Sequence, residues 1–166
     1  MAELYVQGNT LTFQGRTYTC AIGKGGFSAD KKEGDGATPI GIFPLRECWY
    51  RADRLEKPVT KLPLKVIQEN DGWCDDPSNI EYNKYIQLPF TASYEKLFRD
   101  DGVYDFIIPM GYNDAPVVSG KGSAIFIHIA KPDYTPTEGC VALSLPDMLE
   151  ILPHLSTQTR IEIKQA

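Results

Sequence analysis

The sequence predicts a mainly β protein with a few short helices. It contains 14 glycines and 12 prolines in 166 residues, and this supply of turn-forming residues favours many short strands. Apolar side chains recur in short alternating runs, which is the period of a half-buried strand. The length suits one domain with a sizeable core, so we predict a single domain over residues 1–166.

In the first half of the chain the pattern predicts a hairpin, a loop and a long irregular segment. Residues 10–14 and 16–23 alternate apolar and polar side chains and predict two paired strands. Residues 23–37 are rich in Gly, Lys and Asp, which predicts an exposed loop, and strand character resumes over residues 40–48. Residues 47–83 show no strong period, so we expect an irregular insertion on the sheet, and a segment that long is usually functional.

The second half of the chain predicts two short helices among further strands. The first helix is expected over residues 92–99. Ser144 has the character of an N-cap, with a proline in the first turn and Asp147 at the third position, and predicts a helix over residues 145–155. Apolar runs rich in β-formers predict strands at residues 103–110, 124–129 and 159–164.

Charge and cysteine spacing exclude several function classes. The net charge is −5 and no run of Lys or Arg occurs, which argues against a nucleic-acid or anionic-membrane surface. No apolar stretch is long enough to span a membrane. The four cysteines lack CxxC spacing and a companion histidine, so we expect neither a metal site nor a cofactor, and an even count does not require disulfides.

The N-terminus, MAELYVQGNTLTFQG, has no basic segment followed by an apolar one, so it does not resemble a secretory signal. We therefore expect a cytoplasmic protein. The alternative is a periplasmic protein from which an export segment has been removed.

The chemistry is expected at a histidine and a cysteine that flank one loop. His128 ends an apolar strand, and Cys140 follows Gly139 twelve residues later, in a chain with only two histidines and four cysteines. A thiolate nucleophile needs a base or a cation beside it to be ionised near neutral pH. We expect Cys140 to lie near the surface with its pKa lowered by His128, and strand alternation to separate His128 from Ile127. Backbone N–H groups near Gly139 and Cys140 are candidates for an oxyanion hole.

Four short segments carry a pattern that spans most of the chain: residues 33–43 (EGDGATPIGIF), 73–83 (WCDDPSNIEYN), 120–128 (GKGSAIFIH) and 137–141 (TEGCV). In this order they resemble the YkuD-type L,D-transpeptidase catalytic domain, whose members read roughly Gly-x-x-x-Thr-Pro-x-Gly-x-Phe, then Ile-His-Gly, then Ser-His-Gly-Cys. The second and third segments are similar to a branch of that family with Trp-x-Asp-Asp-Pro and Gly-x-Gly-Ser-Ala.

The chain departs from the common family pattern around the reactive pair. Thr137 and Glu138 stand where the family has Ser-His, Ile129 replaces the glycine after the histidine, and Ala142 replaces an arginine that often follows the cysteine. The reaction class is therefore better indicated than the substrate.

The resemblance implies a YkuD-like β-sandwich with a long irregular insertion and a cleft at a sheet edge. It implies that Cys140 is the nucleophile, His128 the base and Gly139 part of the oxyanion region. Substrate-binding positions are expected at Trp73, Tyr82, Asn83, Lys121, Ser123 and Glu138. Glu138 either orients a substrate ammonium or is simply solvated, and Asp75-Asp76 is interpreted as a turn.

The function predicted from this resemblance is a cysteine-dependent L,D-carboxypeptidase. It would release D-alanine from tetrapeptide stems of peptidoglycan through a thioester on Cys140, in muropeptide recycling. Its partners would be stem peptides or muropeptides and acylating carbapenems, with no nucleic acid or membrane. The alternatives are an exported L,D-transpeptidase that forms crosslinks, a non-catalytic wall-binding module of the same fold, and an unrelated cysteine hydrolase.

Overall fold

A computed structural model of the protein describes residues 3–165, which form fifteen strands and one short α-helix. The first eight strands are β1 (Glu3–Gln7), β2 (Thr10–Phe13), β3 (Arg16–Ala21), β4 (Phe27–Ser28), β5 (Thr38–Pro39), β6 (Gly41–Pro44), β7 (Cys48–Tyr50) and β8 (Leu64–Val66). The others are β9 (Asp71–Cys74), β10 (Tyr85–Gln87), β11 (Tyr94–Lys96), β12 (Phe106–Pro109), β13 (Phe126–Ile129), β14 (Val141–Leu143) and β15 (Arg160–Lys164). The prediction of a mainly β protein is confirmed.

Ten strands form one curled sheet in the order β6-β15-β1-β2-β3-β14-β13-β12-β7-β8. Both halves of this sheet contribute side chains to one apolar core, for example Leu11 from β2 and Ile127 from β13. The inward side chains alternate with outward ones along each strand, because successive residues of a strand point to opposite faces. This curled sheet is the YkuD-like β architecture that the resemblance implied.

A second, three-stranded sheet in the order β10-β9-β11 lies beside the main sheet. Its neighbourhood forms a separate apolar cluster in which Trp49, Leu97, Tyr104 and Phe126 are buried and Cys140 takes part. Phe126 packs edge-on against Trp73 of β9, with ring centroids 5.1 Å apart. Cys140 therefore lies between the main sheet and the small one.

The prediction that residues 47–83 are irregular is wrong in part, because β7, β8 and β9 lie within them. These strands are only three or four residues long, which is too short to show a period in the sequence. Strand β9 also finds its partners beyond the segment, since Tyr85 of β10 and Glu95 of β11 both pair with Trp73.

The helix predicted over residues 92–99 is also wrong. Residues Tyr94–Lys96 form β11, which pairs with β9 in antiparallel fashion. Local helix propensity is a weak preference that tertiary pairing often overrides, and here the backbone groups are satisfied by the neighbouring strand.

The hairpin and the C-terminal elements are confirmed. Strands β2 and β3 pair across the turn at Gly15. Helix α1 (Leu145–Ile151) begins where predicted, and the Ser144 hydroxyl accepts a hydrogen bond from Asp147 N at 3.3 Å. The helix ends earlier than predicted, with a turn of 3-10 helix at Leu152–His154 before β15. No helix between residues 3 and 165 is long and apolar enough to cross a membrane.

Two other segments differ from their predictions. The strand expected over residues 40–48 is two separate strands, β6 and β7, which lie near opposite edges of the main sheet. The loop over residues 23–37 is not uniformly exposed, because Lys31 is only 5% accessible and Ala37 is 3% accessible. This loop passes beneath the segment that carries Cys140, and its burial places it at the candidate site.

Candidate active site

His128 and Cys140 line the same cavity, which has a volume of about 500 Å³. His128 lies on β13 and Cys140 immediately precedes β14, and these two strands are parallel neighbours in which His128 is opposite Ala142. Adjacent strands lie roughly 4.8 Å apart, so two residues separated by a loop reach one wall. As the alternation predicted, Ile127 faces the main core while His128 faces the cavity.

Cys140 is more buried than expected, with 6% of its surface accessible. Its thiol donates a hydrogen bond to the carbonyl oxygen of Ala124 at 3.2 Å and accepts one from Phe126 N at 3.4 Å. Burial raises the pKa of Cys140 to about 12, and the charge of Glu95 acts in the same direction. The expectation of a surface cysteine with a lowered pKa is therefore wrong.

His128 is held by its own strand and by an aromatic ring. Its Nδ1 lies 2.9 Å from the carbonyl oxygen of Ile129, and a carbonyl can only accept, so the hydrogen-bond network assigns the proton to Nδ1. The ring of Tyr104 packs edge-on against the imidazole at a centroid distance of 5.4 Å. Burial lowers the pKa of His128 to about 4.

Burial thus disfavours the charged form of both side chains and favours a thiol beside a neutral imidazole. An imidazole protonated at Nδ1 has a free lone pair at Nε2, which can accept a proton. The arrangement suits general-base catalysis, in which the thiol loses its proton as it attacks and is not ionised beforehand.

The turn before Cys140 is shaped by Gly139 and Thr137. Gly139 has φ +139°, and a Cβ there would lie 2.8 Å from the carbonyl oxygen of Ala37, so close packing against the buried loop requires glycine. The Thr137 hydroxyl accepts from Gly139 N at 3.1 Å and donates to the Cys140 carbonyl oxygen at 2.7 Å. The Gly139 N–H is thus engaged by Thr137, and the predicted contribution of this N–H to an oxyanion hole would require it to leave that hydroxyl.

Lys31 is the principal residue of the site that sequence reasoning missed. Its side chain is 3% accessible and lines the cavity beside Cys140, and Nζ forms an ion pair with Asp35 Oδ1 at 2.8 Å. Asp35 also accepts hydrogen bonds from Lys32 N and Ala37 N, and these bonds with Lys31 help to lower its pKa against the opposing effect of burial. No periodic pattern marks a buried lysine in a glycine-rich loop; the only signal in the sequence is the Lys31-x-x-x-Asp35 spacing.

Two of the six predicted substrate-binding residues, Ser123 and Glu138, line the cavity. The Ser123 hydroxyl donates to Glu33 Oε1 at 2.7 Å. Glu138 lies at the mouth, where its carboxylate pairs with Lys24 at 3.0 Å and is largely solvated. Both positions are therefore within reach of a molecule in the cavity.

The other four predicted substrate-binding residues lie outside the lining of this cavity. Tyr82 is buried, accepts a hydrogen bond from Gly122 N at 2.9 Å and donates to Glu33 at 2.7 Å. Lys121 is exposed and pairs with Asp30 at 3.2 Å. Trp73 and Asn83 line a separate cavity of about 300 Å³. At these positions the four side chains contact other residues of the protein, and none of them lines the cavity that contains Cys140.

Asn83 instead organises the backbone that holds the cysteine. Its Oδ1 accepts from Trp73 Nε1 at 2.9 Å and from Ala124 N at 3.0 Å, and its Nδ2 donates to Asn113 O at 2.8 Å. Ala124 has φ +54°, a left-handed conformation that costs a non-glycine residue roughly 1–2 kcal/mol. The Asn83 contact stabilises this conformation, which directs the Ala124 carbonyl to the Cys140 thiol.

The neighbouring residues Asp75 and Asp76 make different contacts. Asp76 accepts hydrogen bonds from both Ser78 N and Ser78 Oγ, which is the geometry of the predicted turn. Asp75 lines the cavity and accepts from Ser93 Oγ at 2.6 Å. Within residues 3–165, no three His, Cys, Asp or Glu side chains are grouped as metal ligands.

Comparison with protein families decides the class of the chain. Residues 1–163 match the model of the YkuD family, described as the L,D-transpeptidase catalytic domain. The chain belongs to the YkuD family. The predicted resemblance is thus confirmed over nearly the whole sequence, including the two segments that carry His128 and Cys140 in this YkuD domain.

Two solved structures resemble this YkuD domain at low sequence identity. L,D-transpeptidase 1 of Mycobacterium tuberculosis is 12% identical with a TM-score of 0.46, over 98% of this chain and 58% of that one. The helical cell shape determining protein Pgp2 of Campylobacter jejuni is 15% identical with a TM-score of 0.48, over 99% of this chain and 47% of that one. The chain therefore spans about half the length of these proteins. A comparison with curated protein sequences returned no match.

Proposed function

We propose that the protein is a cysteine-dependent L,D-carboxypeptidase that trims peptidoglycan tetrapeptide stems to tripeptides. The observation that carries this proposal is the cavity in which the Cys140 thiol and the neutral His128 imidazole share one wall of a YkuD-family domain. The substrate class comes from the family, and the use of water as acceptor is the finer part of the proposal.

In the proposed reaction, Cys140 Sγ attacks the carbonyl carbon at the L-centre of the third stem residue while His128 Nε2 takes the thiol proton. The tetrahedral oxyanion is stabilised by N–H donors near Cys140. Collapse breaks the peptide bond, and His128 gives its proton to the departing amine of D-alanine. Water then attacks the thioester with His128 as base, releasing the tripeptide carboxylate and restoring the thiol.

A cavity volume of about 500 Å³ is in the range that holds one small ligand. Water is the acceptor that needs least room beside a bound stem peptide, and for that reason hydrolysis is the proposed outcome. The proposed location is the cytoplasm, where soluble muropeptides would be the substrates, and fractionation of the natural host's cells tests it.

A product assay tests the proposal directly. The protein is incubated with monomeric disaccharide tetrapeptide, with and without an excess of a second stem peptide, and the products are separated by mass. We expect tripeptide and free D-alanine in both cases, and no product with Cys140→Ala. Crosslinked dimer as the main product would show that the protein is a transpeptidase. Binding of the stem peptide without turnover by the wild-type protein would indicate a non-catalytic wall-binding module.

Transpeptidation is the second candidate because the cavity wall also carries carboxylates. Asp75 and Glu138 both line it, and their carboxylates would attract the ammonium group of an acceptor stem. The assay with excess acceptor is therefore the condition that separates the two reactions.

We also propose that carbapenems acylate Cys140, as the resemblance implies. Intact-mass analysis should show one adduct on the wild-type protein, located by peptide mapping to the segment that contains Cys140, and none on Cys140→Ala. An adduct on another cysteine would contradict this.

A further inference from the structure

We propose that Lys31 is a specificity-determining residue whose ammonium group binds the free C-terminal carboxylate of the stem peptide. This assignment rests on the proposed carboxypeptidase function and explains how the enzyme would recognise a free C-terminus. It adds a residue far from the reactive pair in sequence, and it supplies a physical reason why a terminal D-amino acid would be removed one residue at a time.

The first support is the position of the ammonium group. A Cβ built on Gly139 would lie 3.4 Å from Lys31 Nζ, so the ammonium group lies against the residue directly before Cys140. Burial raises the pKa of Cys140 and the charge of Lys31 opposes that effect, so the ammonium group and the thiol lie within electrostatic reach of each other. The free carboxylate of a terminal residue lies one residue beyond the scissile carbonyl, so a cation beside Cys140 is placed to meet it.

The second support is that Lys31 is fixed and has hydrogen-bonding capacity left. An ammonium group has three N–H donors, and among the described residues only Asp35 accepts one from Lys31. Asp35 is itself held by two backbone N–H groups, from Lys32 at 2.8 Å and Ala37 at 2.9 Å. The remaining donors belong to a side chain that lines the cavity, where a carboxylate would accept them.

The third support is the contrast with the other cations that line the cavity. Arg99 forms an ion pair with Asp101 and lies over the ring of Tyr104, and Lys131 is exposed. A buried lysine is costly unless its charge is compensated, and a single carboxylate partner leaves Lys31 able to accept a second anion. Lys31 is thus the buried cation beside Cys140. Ala142, which stands where the family often has an arginine, lines the same cavity without a charge.

The test compares a free acid with its amide. Wild-type protein, Lys31→Met, Lys31→Arg and the control Lys32→Met are assayed on tetrapeptide and on the same tetrapeptide with a C-terminal carboxamide. Lys32 is the neighbouring lysine, and its side chain is exposed. We expect Lys31→Met to lower kcat/KM for the acid by about 10- to 150-fold, the range for loss of one charge-assisted hydrogen bond, with little change on the amide.

Lys31→Arg should retain part of the preference for the acid, and Lys32→Met all of it. Equal loss on acid and amide in Lys31→Met, or no acid preference in the wild-type protein, would overturn the assignment and leave the carboxypeptidase proposal standing.

A probe that needs no turnover separates failure of this inference from failure of the proposed function. Cys140 is alkylated at pH 8.5 with iodoacetate, which is anionic, and with iodoacetamide, which is neutral and of similar size. The ratio of the two rates should fall at least fivefold in Lys31→Met and stay unchanged in Lys32→Met. An unchanged ratio in Lys31→Met contradicts a carboxylate site at Lys31, whether or not any variant cleaves a stem peptide. If Lys31→Met does not fold, the ratio of the iodoacetate rate to the iodoacetamide rate is measured in Lys31→Arg and, with added salt, in the wild-type protein. We expect salt to lower the ratio in the wild-type protein, and a ratio that salt leaves unchanged contradicts a carboxylate site at Lys31.

Discussion

The thiol of Cys140 donates a hydrogen bond to the carbonyl oxygen of Ala124 at 3.2 Å, and Ala124 adopts a left-handed backbone conformation with φ +54°. Such a conformation is uncommon for a residue other than glycine and persists where surrounding contacts hold it. Here the contact comes from Asn83, which accepts from Ala124 N. The thiol of Cys140 is therefore positioned by a backbone carbonyl, which accepts its proton in a hydrogen bond.

Replacement of Cys140 by alanine should abolish turnover and leave the protein folded. The thiol is the proposed nucleophile, and no other group in the cavity can form the thioester. Turnover is measured as D-alanine release and folding by circular dichroism. Cys20→Ala is the matched control, because Cys20 is fully buried outside the cavity. Full activity of Cys140→Ala would exclude the covalent mechanism.

Alkylation of Cys140 should accelerate steadily with pH. Burial raises the pKa of this thiol to about 12, so the reactive thiolate fraction grows about tenfold for each pH unit between 7 and 10. Iodoacetamide labelling followed by peptide mapping measures the rate at each cysteine. Cys140 should still react before Cys20, Cys48 and Cys74, which have no accessible surface. A plateau below pH 8 would indicate a thiolate–imidazolium pair instead.

The free energy of unfolding should decrease as the pH is lowered from 6.5 to 4, because of His128. The unfolded chain protonates this imidazole near its usual pKa of 6.5, whereas burial lowers the pKa in the folded protein to about 4. In that window the unfolded state binds more protons, so stability rises with pH, and the contribution is complete above 6.5. The shift corresponds to about 3 kcal/mol.

Urea denaturation of the wild-type protein and His128→Asn across this pH range measures the effect. The difference between the two proteins isolates His128 from the carboxylates that titrate in the same window. An identical slope in His128→Asn would show that His128 is not the source.

Asn83→Ala should destabilise the protein by about 2–6 kcal/mol, since each of two buried partners left without a hydrogen bond costs roughly 1–3 kcal/mol. The partners on its Oδ1 are Trp73 Nε1 and Ala124 N. Asn83→Asp keeps both acceptor contacts but places a carboxylate oxygen against the carbonyl oxygens of Tyr112 and Asn113, so it should destabilise the protein as well. We also expect faster alkylation of Cys140 in Asn83→Ala, because the Ala124 carbonyl is no longer held. Unchanged stability and alkylation would mean that Asn83 does not position this segment.

The sequence by itself was sufficient for the family and the mainly β fold, and it singled out His128 and Cys140, which line one cavity. Alternating runs in β2, β3 and β15 are long enough to show the strand period, and the Ser144 cap is a local signal that needs no distant partner. His128 and Cys140 were found because they are scarce residue types at matching motif positions. Features of this kind are encoded within a few neighbouring residues.

Only the tertiary structure decided how burial shifts the pKa values of Cys140 and His128, and which other residues line their cavity. The pKa values of Cys140 and His128 depend on burial, which arises from strands that lie far apart in sequence. β11 is a strand because β9 is its neighbour, and Lys31 belongs to the site because its loop folds beneath Gly139. Long-range pairing and desolvation are set by the whole chain at once, and for that reason no local pattern in the sequence indicates them.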